Sequence, residues 1–207
     1  MLLDADECQL LLIDYQARLM PAMAEAQFVQ ANAVRLARFA NAFGVPLWGT
    51  EQAPEKLGQN PAELRALCEK TISKLHFSAC DDEVLNLLRP PSRTRPNPQQ
   101  GGNARSLPKH LQKAVPSAPA PERNTIVMAG CEAHVCLLQT ALELLEHEFD
   151  VWVVTDACSS RTERNRDAAF DRLAANGAEL VTTEMVAFEW LRGADHPQFK
   201  EIQSWIN

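Results

Sequence analysis

The chain has 207 residues, 46% of them hydrophobic and 23% charged, with a formal net charge of −7. That length suits one domain with a full hydrophobic core. The composition is ordinary for a soluble globular protein, and the acidic balance argues against a general nucleic-acid binder. The first residues, Met1 to Glu7, are acidic and lack the basic start and apolar core of a signal peptide. No apolar run approaches the length needed to span a membrane, so a cytoplasmic protein with no membrane partner is expected. There the cysteines Cys8, Cys68, Cys80, Cys131, Cys136 and Cys158 should be thiols. Their spacings contain no C-x-x-C pair.

Cys8–Ile13 is a continuous apolar run ending in Asp14. Unbroken apolarity predicts a parallel strand covered on both faces. Ala26, Val29, Ala33, Leu36, Ala37, Ala40 and Phe43 recur at helical spacing, which predicts a helix over about 24–43 with Gly44 as its stop. A second strand is expected at Val45–Thr50, leading into Glu51 and Gln52. A short helix near Pro61–Cys68 precedes a brief strand at Thr71–Lys74. A further helix is expected over Asp81–Leu88, with Asp81 and Asp82 at its amino end.

Arg89–Arg123 is different. It carries eight prolines, seven Arg or Lys and one Glu, with few apolar residues. It reads as an inserted basic loop or arm, with room for a short helix at about 107–115. Order resumes with a strand that stops at Gly130 and a helix over about 134–147, which places Cys136 in the helix's first turn. Val151–Thr155 gives a fifth strand, Glu163–Asn176 a helix closed by Gly177, and Glu179–Thr183 the last strand. Met185–Leu191 and Gln198–Trp205 read as terminal helices. Strands alternating with helices imply a doubly wound, mostly parallel α/β sheet of about six strands.

Ligands of such sheets bind beyond the carboxyl ends of the strands. Asp14, Lys74 and Cys136 all fall on that edge, so an acid, an amine and a thiol converge there. A thiol nucleophile needs a base to take its proton and a cation nearby. Asp14 can serve as the base, Lys74 as the cation, and a helix amino end would favour the thiolate of Cys136. Each residue alone has a blander reading: a turn cap, a surface lysine, a small buried cysteine.

The stretch Gly130-Cys131-Glu132-Ala133-His134-Val135-Cys136, with Asp156-Ala157-Cys158-Ser159-Ser160-Arg161 downstream, resembles the isochorismatase-like cysteine hydrolases, above all their isochorismatase domain-containing branch. Asp14 in Asp14-Tyr15-Gln16 resembles that family's D-x-Q, and Lys74 in Lys74-Leu75-His76-Phe77-Ser78 its K-x-x-F-S. The resemblance covers most of the chain outside about 89–123. It implies a three-layer α/β/α fold, a single domain over 1–207, and an Asp14/Lys74/Cys136 triad. It also implies a cis Cys131–Glu132 peptide and an oxyanion hole made by the backbone N–H groups of Glu132 and Cys136. Gln16, Gln52, Phe77 and His134 are its candidate substrate contacts. Asp156 reads as structural, capping the next turn and pairing with Arg161. The family forms dimers and larger oligomers, so self-association is expected.

The metal-binding branch of that superfamily carries histidines after strand two, where this chain reads Thr50-Glu51-Gln52-Ala53-Pro54. Cys131, His134 and Cys136 lack a fourth partner for zinc, so no metal is expected. The glycines form no nucleotide-binding loop, so no cofactor is expected either. The reading that follows is a cysteine hydrolase of a small molecule, with an amide as the expected substrate. Vinyl-ether hydrolysis, a non-catalytic scaffold, and a redox protein using Cys131 and Cys136 stand as alternatives.

Overall fold

The structure is a computed structural model and describes residues 1–90 and 123–206. Its centre is a six-stranded, all-parallel sheet in the order β3-β2-β1-β4-β5-β6. Strand β1 (Cys8–Ile13) is buried along its whole length. This is what an unbroken apolar strand requires when helices cover both faces. Burying each of Leu10, Leu11, Leu12 and Ile13 contributes about 1.5–3 kcal/mol.

Helix α1 (Ala26–Phe43) buries Val29, Ala33, Leu36, Ala37 and Ala40, the stripe its spacing predicts. It stops at Gly44, whose φ of 66° and whose N–H bonded to Ala40 and Asn41 carbonyls make a left-handed cap. Strand β2 (Leu47–Gln52) starts two residues later than the apolar run suggests and carries Glu51 and Gln52 inside it. Helix α2 (Pro54–Leu57) is a single turn that periodicity does not reveal, with Pro54 in its first turn. Helix α3 (Ala62–Leu67), strand β3 (Lys70–Lys74) and helix α4 (Asp82–Leu88) follow. The Asp81 carboxylate caps α4 by accepting from the Val84 N–H.

Beyond residue 122 come β4 (Thr125–Gly130), α5 (Leu138–Glu146), β5 (Asp150–Val154), α6 (Glu163–Ala175), β6 (Glu179–Val181), α7 (Thr183–Leu191) and α8 (Phe199–Ile206). Helix α1 packs against α3, α7 and α8, and α5 packs against α6. The predicted helix over 134–147 is in fact two pieces. Ala133–Leu137 winds as a wide π turn before α5 begins. Apolar spacing over one turn does not distinguish the two windings.

The short helix expected at 107–115 lies outside the described residues. The flanking residues Arg89 and Arg123 are both anchored. Arg123 donates to the Ala5 and Cys8 carbonyls, at the amino end of β1. Arg89 bonds Asn124 and lies 4.1 Å over the Phe149 ring. Both therefore sit at the amino edge of the sheet. Among the described residues no helix is long and apolar enough to cross a membrane.

The strand order reverses between β1 and β4, and this switch point is where open α/β sheets bind ligands. Ile13 pairs with Thr50 on one side and with Gly130 on the other. A Cβ at Gly130 would lie 2.3 Å from the Ile13 carbonyl oxygen. Only glycine lets β4 close on the end of β1 that carries Asp14.

Candidate active site

Asp14 follows β1 directly, at a φ of 53°, a left-handed conformation that Asp tolerates better than most residues. The kink turns its carboxylate inward. Oδ1 accepts from the Thr50 hydroxyl at 2.7 Å, and Oδ2 accepts from Lys74 Nζ at 2.6 Å. The two charged side chains are 0% and 3% exposed.

A buried ion pair is unfavourable unless its remaining donors and acceptors are satisfied. Those of Lys74 are. Its ammonium also donates to Gln52 Oε1 at 2.9 Å, to the Phe77 carbonyl at 2.9 Å and, at 3.3 Å, to the His76 carbonyl. The turn after β3 thus wraps its own carbonyls around the ammonium that β3 delivers.

Cys136 completes the group from the other side of β1. The π turn forms because the Leu137 N–H reaches back five residues to the Glu132 carbonyl. Thr140 donates its hydroxyl to the Cys136 carbonyl at 2.7 Å. The thiol interacts with both Asp14 and Lys74. The structure therefore brings the acid, the amine and the thiol together.

Burial first and the Asp14 carboxylate second push the Cys136 thiol up to about 12, with Lys74 offsetting only part of the rise. The preformed thiolate expected from a helix amino end is thus corrected: Cys136 rests as a thiol beside a base. Alkylation of Cys136 by iodoacetamide should climb steadily from pH 7 to pH 10 as the thiolate fraction rises, with no plateau in that range. Peptide-mapped labelling rates check this, and a plateau near pH 7 would mean that the thiolate already exists there.

The turn itself is tied down on both sides. The Cys131 N–H donates to the Ile13 carbonyl at 3.0 Å, and the Ala133 N–H to the Ser159 carbonyl at 2.7 Å. The Cys131–Glu132 peptide is cis, as the resemblance implies. Among the described residues, the N–H groups of Glu132 and Cys136 donate to no turn, cap or side-chain acceptor. The Glu132 carboxylate accepts from Arg161 Nε at 2.9 Å and from the Arg161 N–H at 3.3 Å.

That pairing replaces the one expected between Arg161 and Asp156. Asp156 Oδ1 accepts instead from the backbone N–H and hydroxyl of Thr183, at 2.8 and 2.9 Å, at the start of α7. The loop after β5 points Arg161 back toward the turn after β4, and sequence distance alone does not show this.

The remaining sequence candidates fall in different places. Gln16 is fully buried. Its amide oxygen accepts from the Gln52 N–H at 2.7 Å, and its nitrogen donates to the carbonyls of Gln52 and Gly58. Gln52 holds Lys74 through Oε1 and donates through Nε2 to the Leu75 carbonyl. Both amides are engaged within the chain, in fixing Lys74.

Phe77 offers its carbonyl to Lys74, while its ring is more than half exposed. It lines a cavity of about 420 Å³ with Leu75, Gln139 and Glu143. His134 is half-buried, with Nδ1 3.0 Å from the Ser160 hydroxyl and Nε2 3.3 Å from the Asn165 amide. Thr50, Ser160 and Asn165 were not singled out for these contacts. Thr50 ends the expected second strand on the ligand edge and Ser160 lies in the stretch that carries the resemblance, but nothing in the sequence assigns either its contact, and nothing points to Asn165. Among the described residues, no group of three or more His, Cys, Asp or Glu side chains is arranged to hold a metal.

The comparisons with known proteins agree with this architecture. The isochorismatase domain model matches residues 8–185. Isochorismatase domain-containing protein 2A of Mus musculus is 34% identical over 197 residues, covering 95% of this chain and 81% of that protein. Its Danio rerio relative, isochorismatase domain-containing protein 2, is 33% identical and is covered to 85% of its length.

Among solved structures, the MAR1 ribonuclease of Caenorhabditis elegans superposes with a TM-score of 0.80 at 27% identity, over 100% of this chain and 92% of that one. The YcaC product of Escherichia coli, described as an octameric hydrolase of unknown specificity, gives 0.74 at 24% identity, over 99% and 95%. With the family model spanning most of its length and relatives matching over nearly all of it, the chain belongs to the isochorismatase family.

Proposed function

We propose that this chain is a cysteine hydrolase that cleaves a small amide through a thioester intermediate. The observation that carries this reading is the buried Asp14 carboxylate, held by Lys74 at 2.6 Å, beside the Cys136 thiol. A thiol with its pKa pushed up to about 12 does not attack unaided at neutral pH. An adjacent carboxylate supplies what is missing.

In this mechanism Asp14 takes the Cys136 proton as Sγ attacks the amide carbon. The carbonyl oxygen becomes an oxyanion held by the N–H groups of Glu132 and Cys136. Collapse breaks the C–N bond, and the amine leaves with the proton from Asp14. Water then attacks the thioester, losing its proton to Asp14, and the acid departs as Cys136 is reprotonated. Lys74 holds the Asp14 side chain in place throughout. Gln16 and Gln52 act as positioning residues for Lys74, and Phe77 and His134 line the approach. No metal or organic cofactor takes part. Vinyl-ether hydrolysis would leave the thiol without a role, and a scaffold would need none of the three side chains.

Self-association belongs to the same reading. Leu75, 78% exposed, and Phe77, 54% exposed, leave apolar surface beside the site for a second copy to cover.

A panel of small primary and secondary amides, assayed for amine release by wild-type protein and Cys136→Ala, tests the function. At least one amide should be cleaved in a Cys136-dependent way. Cleavage of an oligoribonucleotide with no amide turned over would overturn the proposal.

A further inference from the structure

The charged side chains of the turn that carries Cys136, and of the elements beside it, pair off. Lys74 is matched by Asp14 at 2.6 Å, and Arg161 by Glu132 at 2.9 Å. The ammonium of Lys74 already faces Asp14, Gln52 and the carbonyls of His76 and Phe77. The ring nitrogens of His134 face Ser160 and Asn165. Glu143, hydrogen-bonded by the Ser78 hydroxyl at 2.7 Å, adds a carboxylate to the neighbouring cavity. Among the described residues, then, no cation at this site stands without its own anion.

The second pair is the one that could have been otherwise. Arg161 is well exposed, its side chain 61% accessible, whereas the Glu132 side chain is only 10% accessible. An exposed arginine beside a reacting group is suited to grip a carboxylate or phosphate. Here a nearly buried carboxylate, carried by the same turn as Cys136, accepts from the guanidinium Nε at 2.9 Å and balances its charge. The same Glu132 oxygen also accepts from the Arg161 backbone N–H, which fixes both partners.

We infer that Glu132 neutralises Arg161 and thereby makes this site selective for uncharged substrates over anionic ones. This rests on reading Cys136 as the reactive group. It deepens that reading by naming the substrate class: a neutral amide without a carboxylate or phosphate near the scissile bond. An anion entering the site would meet no unmatched cation and would lie near Glu143.

Two alkylating reagents of equal size test this without needing the natural substrate. Iodoacetamide is neutral and iodoacetate is its anionic counterpart. Labelling of Cys136 is followed by peptide mapping, and the ratio of the two rates is divided by the same ratio for free cysteine. The wild-type protein should favour iodoacetamide by about tenfold or more, since charge mismatch is penalised at a desolvated site. Glu132→Gln should reduce that preference by about tenfold by leaving Arg161 unmatched. The double variant Glu132→Gln/Arg161→Gln, neutral again, should restore it.

A wild-type ratio equal to that of free cysteine overturns the inference, and it does so even if Glu132→Gln fails to fold. A folded Glu132→Gln with unchanged preference overturns it as well. Labelling of Cys136 without charge preference would leave the nucleophile assignment standing. Absence of any Cys136 labelling would sink that assignment, and the selectivity with it.

Discussion

Cys136→Ala should abolish amide turnover while leaving the protein folded. The substitution removes a single sulfur from a side chain that is 6% exposed. No hydrogen bond that ties down the turn is lost, because the Cys136 carbonyl still accepts from Thr140. The expected loss of stability is about 1 kcal/mol, the centre of the usual range. For a chain of this size that lowers the melting temperature by about 2–4 °C.

Turnover should fall by about 10⁴-fold or more, because the bond-forming atom is gone and only positioning remains. Cys68→Ala makes the same chemical change at the end of α3. It should keep wild-type turnover, so that loss in both variants would point to a general effect of losing a thiol. Wild-type turnover by Cys136→Ala, on a substrate that the protein does cleave, would end the thiol mechanism.

The parts of this site that were legible in the sequence are those carried by strand ends. A parallel strand announces itself by an unbroken apolar run, and the first polar residue after it marks the ligand edge. Asp14, the turn after Gly130 and the doubly wound sheet follow in this way, whereas Lys74 ends a short polar strand and stands out through the K-x-x-F-S resemblance. What was not legible depends on winding and on loop direction. Cys136 sits in a π turn because the Leu137 N–H reaches the Glu132 carbonyl, and one turn of apolar spacing looks the same in either winding.

Arg161 turns to Glu132 instead of Asp156 because the start of α7 claims Asp156 through Thr183. That contact spans 27 residues and leaves no local signature. The roles of Gln16 and Gln52 were also hidden. An amide beside a catalytic residue looks the same in sequence whether it faces a ligand or the backbone. Here Gln16 closes on both backbone groups of Gln52, and Gln52 closes on Lys74.

Removing either partner of the Asp14–Lys74 pair should affect stability and activity together, and the two effects should combine differently. In Lys74→Ala the Asp14 carboxylate stays fully buried, keeping the Thr50 hydroxyl and the neighbouring Cys136 thiol but no cation. An uncompensated buried charge costs about 3–5 kcal/mol. This corresponds to a drop of about 10 °C in melting temperature for a chain of this length.

Asp14→Asn leaves the ammonium with Gln52 and two backbone carbonyls, so its cost should be smaller. The double variant Asp14→Asn/Lys74→Ala removes both charges. It should be more stable than the sum of the single effects predicts, by about 2 kcal/mol, since residues in one network couple. Turnover should reach the same floor in both single variants and in the double one, because residues that act as a unit do not contribute independently.

Thermal melts of the four proteins close the stability cycle, and amine release closes the kinetic one. Additive stability losses would mean that the two charges do not depend on each other. Substantial turnover in a folded Lys74→Ala would mean that Asp14 needs no cation to act as the base. Either result would dismantle the site as a single acid–amine–thiol unit built across three strands.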